Sequence, residues 1–435
     1  MYQDKRAEII SVGTEILLGQ IVDTNSAYLA RKLALLGINL FRKTVVGDNA
    51  ERIKETVGEA LKRSDILILT GGLGPTQDDL TKEAVSELLG KKLLLNKKIA
   101  EQIQNKISHY HHRISKEAVF KQAMIPLSAA VIPNRVGTAP GIILGIIFEE
   151  NKKTIILLPG VPEELKVMVE EEVVPYFLAK IPQKEVIKSR ILKVWGMGES
   201  EVERTISCIM DEQLNPTVAL LAKREGTCIR ITAKFTPAKV DEEIKRVENK
   251  IREKLGNYIY GVDGQTMESV VGSLLKKRGL TLSLAESCSG GLLSHRVTNV
   301  PGSSDYYLGG VVSYSNEVKC SLLGVPEKLI REKGAVSEEV AKGMAKGARK
   351  VGKAHLGIGI TGIAGPGGET SDKPVGLVYI ALSSDKEDVC KRFIFSGGRE
   401  MIKWRASQSA LNMLREYLAT DLSHGFTQIN TNKHR

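Results

Sequence analysis

Short, unbroken apolar runs alternate with amphipathic ones along the first 170 residues. "EIISVG" from Glu8, "INLFRKTVV" from Ile38 and "DILILTGG" from Asp65 read as strands, with residues 24–36 and 50–63 as the helices between them. An apolar run without polar alternation suits a strand covered on both faces, and strand–helix alternation makes the sheet parallel. "GIILGIIF" and "KTIILLPG" flank the charged stretch Glu149–Lys153 and predict a hairpin.

The pattern changes after residue 170. "SRILKVWGMGES" and "TCIRITAKF" are strand-like, and charged helical patterns fall near 199–212 and 239–255. "GVDGQT" from Gly261 is Gly-rich and polar, the composition of a linker. The αβ alternation then resumes. Helices are predicted at 266–278, from about 290, and at 400–418, and strands at 280–285, 308–313, 355–361, 375–382 and 389–395. The expected fold class is α/β. Two three-layer αβα domains with mainly parallel sheets, 1–170 and 263–420, are joined by a small α+β module at 171–262, and 421–435 reads as a tail.

A chain of 435 residues is too long for one core. Its apolar runs are too short to span a bilayer, and "MYQDKRAEII" lacks a signal-peptide core, so a cytoplasmic location away from membranes is expected. Five cysteines without a CxxC pair argue against a disulfide framework or structural zinc. The net charge of +11 suits anionic ligands. The basic residues are scattered and aromatics make up only 5%, which argues against a nucleic-acid surface. "HYHHR" puts His109 and His112 on one helix face, but no acidic partner stands at ligand spacing, so a solvated face is expected.

Chemistry concentrates where strands end. In "LTGGLGPTQDDLTKEAV" a buried strand runs into Gly71, Gly72 and Gly74, and a helix starts near Asp79. Glycines let the backbone approach a ligand, and a helix start offers free N–H groups to an anion. Thr76 adds a hydroxyl. Asp78 and Asp79 repel phosphate unless a divalent cation bridges the two, and they equally suit capping of the next helix. The spacing is neither a Walker A nor a Rossmann fingerprint. "SVGTEILLGQIVDTNS" makes a second such turn with Gly13, Thr14, Glu15, Asp23, Thr24 and Asn25. "NRVGTAPG" and "LPGVPEE" are further turns. In the latter, Pro162, Glu163 and Glu164 suit a helix start.

In the last third, "LAESCSGG" places Glu286, Ser287, Cys288 and Ser289 on a strand-to-helix turn. A serine there is a weak nucleophile without a base. "GGVVSYSNEVKCSLLG" ends another strand in Tyr314, Ser315 and Asn316, followed by a helix carrying Lys319. Strands adjacent in a parallel sheet would bring these turns together, and a buried lysine of depressed pKa can take a serine proton. Cys288 is the rival nucleophile, or a small core residue under the turn. Ser289 reads as an N-cap. "GITGIAGPGGETSDKPVG" is a long Gly-rich loop, and "FSGGRE" puts Arg399 at a helix start, where it opposes the dipole but can grip a phosphate.

"AESCSGG", "SYSNEVK", "GAVSEEVA", "TGIAGPGG", "KPVGLVY" and "SGGR" together resemble the nicotinamide-nucleotide amidase domain of the CinA (competence/damage-inducible) family. "VGTEILLGQIVDTN", "TGGLGPTQDD", "GTAPG" and "LPGVPEE" resemble that family's N-terminal domain, related to molybdopterin-binding proteins of the MogA/MoaB type. "WGMGES" resembles the start of its KH-like middle module. The motifs keep the family order over about 420 residues.

The resemblance implies two activities. The C-terminal domain would hydrolyse nicotinamide mononucleotide to nicotinate mononucleotide and ammonia without a cofactor, with Ser287 as nucleophile and Lys319 as base. Glu286, Ser289, Gly290, Tyr314, Asn316, Thr361, Gly362 and Arg399 would line the site. N–H groups near Ser289–Gly291 or Ser303–Ser304 would serve as oxyanion donors. Ser289 stands where the family pattern has Thr. The N-terminal domain would cleave the pyrophosphate of ADP-ribose with a divalent metal on Asp23, Asp78 and Asp79. Gly13, Glu15, Asn25, Gly71, Gly72, Gly74, Thr76, Pro159 and Gly160 would contact its substrate. The family also implies a homodimer. The competing reading is a nucleotide- or pterin-binding regulator of competence, damage response or cofactor assembly.

Overall fold

The computed structural model describes residues 5–109, 115–180, 185–211 and 214–420. The expected tail at 421–435 and most of the His109–Arg113 run lie outside the described residues. The chain divides into two compact units, and the residues of the middle segment are distributed between them.

The first unit is built on a six-stranded sheet. Its order is Asn39–Val46, Arg6–Val12, Ile66–Thr70, Asn151–Leu158, Gly141–Phe148 and Ala130–Ile132. The first four run parallel; Gly141–Phe148 pairs antiparallel with Asn151–Leu158, as the predicted hairpin requires, and antiparallel with Ala130–Ile132 on its other side. Every residue of Ile66–Thr70 is buried, as its unbroken apolar run requires. Ile10, Leu67 and Leu69 pack on one face against Ile53 and Val57 of the Ala50–Arg63 helix. Ile9 and Ile68 pack on the other against Leu29 and Leu33 of the Thr24–Leu35 helix. Each such side chain contributes roughly 1.5–3 kcal/mol by leaving water. The Lys97–His109 and Lys116–Ala123 helices, which the strand pattern did not announce, complete one of these faces through Ile99, Ile103 and Val119.

The middle segment forms a four-stranded sheet in the order Thr217–Lys223, Gly226–Phe235, Val186–Val194 and Ile259–Val262. Its helices are Glu199–Asp211 and Val240–Leu255.

The second unit carries a five-stranded sheet in the order Tyr307–Val312, Leu282–Glu286, Leu356–Gly362, Leu377–Ser383 and Asp388–Ile394. Leu282–Glu286 is fully buried and runs parallel to both neighbours, and the last two strands are antiparallel. The chain steps from this strand to one side and then crosses to the other, so the carboxyl ends of three strands open onto one crevice. Glu286 pairs with both Val312 and Ile360 there. The Glu338–Val351 helix lies directly on the sheet, because a Cβ at Gly359 would stand 2.3 Å from the Ala341 carbonyl oxygen. Among the described residues no helix is long and apolar enough to cross a membrane.

Candidate functional site

Two places gather the residues singled out in the sequence, one in each unit. In the first unit a cavity of about 730 Å³ opens at the strand ends. Gly13, Glu15, Asp23, Asn25, Gly71, Gly72, Gly74, Asp78, Asp79, Pro159 and Gly160 all line it. Two of the glycines are demanded by geometry. A Cβ on Gly71 (φ 106°) would stand 2.1 Å from the Val12 carbonyl oxygen, and one on Gly72 (φ 66°) would stand 2.2 Å from the Thr81 hydroxyl. Asn25 ties the turns together, its amide donating to the Gly160 carbonyl at 2.7 Å and the Thr70 hydroxyl at 3.2 Å.

The three aspartates expected to hold a metal do not converge. Asp23 caps the Thr24–Leu35 helix, accepting the Ser26 N–H at 2.9 Å, and its other oxygen accepts the Ser11 hydroxyl at 2.7 Å. Burial raises its pKa, but these bonds and the charge of Lys43 hold it below the ordinary aspartate value. Asp79 closes its own turn, accepting the N–H and hydroxyl of Thr76 at 2.9 and 2.5 Å. Thr76 is therefore spent on that turn and is absent from the cavity wall. Among the described residues no three His, Cys, Asp or Glu side chains are grouped to hold a metal ion. The wall is nonetheless strongly acidic: Asp48 and Glu164 join Glu15, Asp23, Asp78 and Asp79, and among the described residues none that lines it is basic. Glu164 was read from sequence only as favourable at a helix start. Its contact with Asn134 at 2.6 Å comes from a distant turn that no local pattern reveals. Gln122 also lines the cavity, with a buried amide oxygen that has no partner.

In the second unit the turns after the three parallel strands meet. Ser287 follows Glu286 and Ser313 follows Val312, and the pairing continues past the strands. The Ser313 N–H donates to the Glu286 carbonyl at 2.8 Å, and the Ser287 N–H to that of Ile360 at 2.9 Å. Among the described residues nothing hydrogen-bonds the Ser287 hydroxyl. Lys319 is 1% exposed. Its ammonium donates to the carbonyls of Ser313, Tyr314 and Ser315 at 2.8, 3.2 and 3.4 Å. Burial draws its pKa below the ordinary lysine value, with the Cys288 thiol close enough to pull the other way. Cys288 is buried in the core beneath the turn, and burial pushes its thiol up to about 12.

Glu286 does something the sequence left open. It is 1% exposed, and one oxygen accepts the Leu293 N–H at 3.0 Å. The other accepts the Ser294 N–H and hydroxyl at 2.8 and 2.6 Å. The carboxylate thus satisfies free N–H groups at the start of the Leu292–Thr298 helix. This corrects two expectations. Glu286 is occupied with the helix rather than presented to a substrate, and Ser289 is not the N-cap, a position held by Gly291. Ser289 is fully buried with an unpartnered hydroxyl, as is Ser313.

The remaining expected residues divide. Asn316 begins the Asn316–Ser321 helix that carries Lys319, with Ser315 as its cap. Arg399 bridges two turns, donating to the Gly365 carbonyl at 2.6 Å and the exposed Tyr314 hydroxyl at 3.1 Å. Thr361 is buried and spends its hydroxyl on the Ala335 carbonyl at 2.8 Å, next to Gly362 at the strand end. The Gly290 N–H is taken by the Ser287 carbonyl at 3.1 Å, leaving those of Ser289 and Gly291 among the expected oxyanion donors. Ser303 and Ser304 are misplaced for that role. They precede Tyr307, which pairs with Leu282 at the start of the central strand. At about 3.3 Å per residue the five-residue strand sets them some 15 Å away, at the opposite edge of the sheet.

Three family models match in order. The probable molybdopterin binding domain covers residues 8–179, the damage-inducible protein CinA KH domain 189–261 and the CinA C-terminal domain 264–418. A competence-damage inducible protein of Caldicellulosiruptor saccharolyticus is 50% identical over 413 residues, 94% of this chain and 98% of the relative. This chain belongs to the CinA family. A CinA-like protein of Kosmotoga olearia is 47% identical over 414 residues, covering 95% of this chain and 99% of its own. A solved structure of CinA from Thermoplasma acidophilum, titled as of unknown function, is 35% identical. It covers 39% of this chain and 98% of its own at a TM-score of 0.36.

Proposed function

We propose that this CinA protein is a pyridine-nucleotide hydrolase whose C-terminal domain removes the amide of nicotinamide mononucleotide. The observation that carries the reading is the Ser287 hydroxyl, unbonded at a strand end beside the turn that encloses the Lys319 ammonium. Lys319 donates to three carbonyls, the weakest contact being Ser315 at 3.4 Å. Loss of one proton, made easier by burial, frees a lone pair while the amine stays anchored on Ser313 and Tyr314. That amine takes the Ser287 proton as Oγ attacks the carboxamide carbon. The C–N bond then breaks, and the proton passes to the departing ammonia. Water, deprotonated by the same amine, hydrolyses the acyl ester to the nicotinate product and restores Ser287. In this reading the N–H groups of Ser289 and Gly291 stabilise the developing oxyanion. The test is ammonia release from nicotinamide mononucleotide by the pure protein. Release that Ser287→Ala abolishes supports the reading, and no release by the native protein overturns it.

A second activity is proposed for the acidic cavity of the N-terminal domain, cleavage of the ADP-ribose pyrophosphate. Among the described residues six carboxylates and no cation line that space, so a pyrophosphate enters only with its charge compensated. Carboxylates are suitable donors for a hard divalent ion, but no three of them are grouped. Asp78 and Asp79 would therefore hold the ion jointly with phosphate oxygens, a common arrangement for magnesium. When bound, the ion would neutralise phosphate charge. Gly71 and Gly72 leave room for the backbone to approach the phosphates, and Asn25 fixes the opposing turn. Turnover of ADP-ribose by the isolated activity, dependent on added divalent ion, tests this reading.

A further inference from the structure

The opposite edge of the second unit's sheet carries a concavity of its own. Its volume is about 370 Å³, and Lys346, Arg349, Lys350, Ser383, Ser384 and Asp388 line it. The three cations belong to the end of the Glu338–Val351 helix, and the others to the turn joining the two antiparallel strands. Ser383 pairs with Gly357 at the start of the strand that ends at Gly362, which sets this pocket roughly 15 Å from the crevice beside Ser287. Arg349 and Lys350 suit the last turn of the helix by complementing its dipole. That accounts for their charge and leaves the buried hydroxyls beneath them unexplained. Ser283, Gly357 and Ser383 stand in one row across three strands. A Cβ at Gly357 would stand 2.1 Å from the Ala345 carbonyl oxygen, so the row faces the helix. Ser283 is 2% exposed, and its hydroxyl has no partner. Burial raises the pKa of Asp388, but the nearby Ser383 hydroxyl and the charges of Lys346 and Arg349 hold it below the ordinary aspartate value. That hydroxyl, on a residue 1% exposed, nonetheless makes no well-aligned hydrogen bond. Lys346 pairs with Asp388 at 2.7 Å, and Arg349 donates to the Ser384 carbonyl. Among the described residues no acidic group pairs with Lys350. Three cations against one carboxylate leave the wall basic.

Clustered cations suit an anion with several acceptor oxygens, and a phosphate monoester is one. Asp388 would repel a bare phosphate, but a carboxylate accepts hydroxyl protons, so the same wall favours a phosphate carried on a polyhydroxylated molecule. The space is large enough for a small ligand of that kind. We propose that this concavity is a second ligand site of the domain, binding a small sugar phosphate through Arg349, Lys350 and Ser383, with Asp388 accepting a sugar hydroxyl. The site stands apart from both activities proposed above. It is tested by acetylating the lysines of the full chain and reading each one by mass spectrometry, with ribose 5-phosphate as the probe. The sugar phosphate is expected to protect Lys346 and Lys350, while the exposed Lys97 and Lys328 keep their reactivity. The concentration that half-protects Lys346 rises about tenfold in Lys350→Gln, and about tenfold when inorganic phosphate replaces the sugar phosphate. In Ser383→Ala it rises about threefold while Tm stays or increases, because the variant deletes a buried hydroxyl that has no partner. A hydroxyl that served packing alone would leave the half-protecting concentration unmoved. Absence of protection, or protection spread equally over all exposed lysines, overturns the proposal. So does inorganic phosphate as effective as the sugar phosphate, or a Lys350→Gln protein protected as well as the native one.

Discussion

The Glu286 carboxylate holds Ser294 twice, accepting its backbone N–H at 2.8 Å and its hydroxyl at 2.6 Å. This fixes the helix after the Ser287 turn to the strand before it, so the turn is clamped at both ends. Glu286→Gln replaces one acceptor oxygen with a donor that faces other donors. It is expected to lower unfolding free energy by about 1–3 kcal/mol and to reduce kcat for ammonia release with little change in KM. Denaturant titration and steady-state kinetics check this. A fully active, equally stable Glu286→Gln would remove the clamp from the account.

Activity should follow the neutral fraction of Lys319. Burial lowers its pKa from the ordinary 10.5, so the rate of ammonia release rises with pH along a curve whose midpoint lies below that value. Lys319→Arg stays protonated throughout and is expected to lose roughly 100-fold or more at every pH. Cys288 behaves oppositely. With its thiol pushed up to about 12 and sealed in the core, Cys288→Ala keeps activity. Alkylation near pH 8 finds the exposed Cys208 first, as mass spectrometry of labelled peptides would show.

Much of this was legible from local pattern. The Ala50–Arg63 helix, the Gly141–Phe148 hairpin strand and the turns around Ser287 and Lys319 lie where apolar periodicity and strand-end glycines put them. What escaped depends on contacts across the chain. Ser303 and Ser304 looked near Ser287 in sequence, but the helix between them returns the chain to the opposite sheet edge. Asp23 is assigned a metal only through the family resemblance, and in the fold it caps the Thr24–Leu35 helix and accepts the hydroxyl of Ser11 from across the turn.

Lys82 is a buried lysine of the first unit, donating to the Lys121 carbonyl. Burial pulls its pKa from 10.5 to about 8, against the attraction of Glu83 and Asp79 and with the repulsion of Lys121. The unfolded chain holds this proton more tightly than the folded one, so the charge is a penalty on folding below pH 8. The penalty fades as pH rises from about 8 toward 10.5. Its full size is of order 3 kcal/mol, partly offset by the hydrogen bond. Lys82→Met is therefore expected to raise Tm at pH 7, and its advantage should shrink or reverse by pH 10. A Met variant whose advantage grows with pH would contradict the burial of the charge.

The two proposed sites should separate cleanly by metal dependence. Among the described residues, the cavity beside Asp78 and Asp79 has six carboxylates and no basic side chain on its wall, so a pyrophosphate cannot be held there against like charge unless a cation comes with it. The proposed amide cleavage at the Ser287 turn uses only the chain's own groups and requires none. Excess chelator is expected to stop ADP-ribose turnover by the full chain, with recovery on adding back a divalent ion, and to leave ammonia release from nicotinamide mononucleotide unchanged. Asp78→Asn, which leaves the Asp23 cap intact, should raise the ion concentration needed for half-maximal ADP-ribose turnover by about tenfold without moving the amidase rate. Chelator-resistant ADP-ribose turnover would show that the carboxylates are not there to meet a metal–phosphate pair. Loss of both activities together would show that the ion supports the fold rather than the cavity.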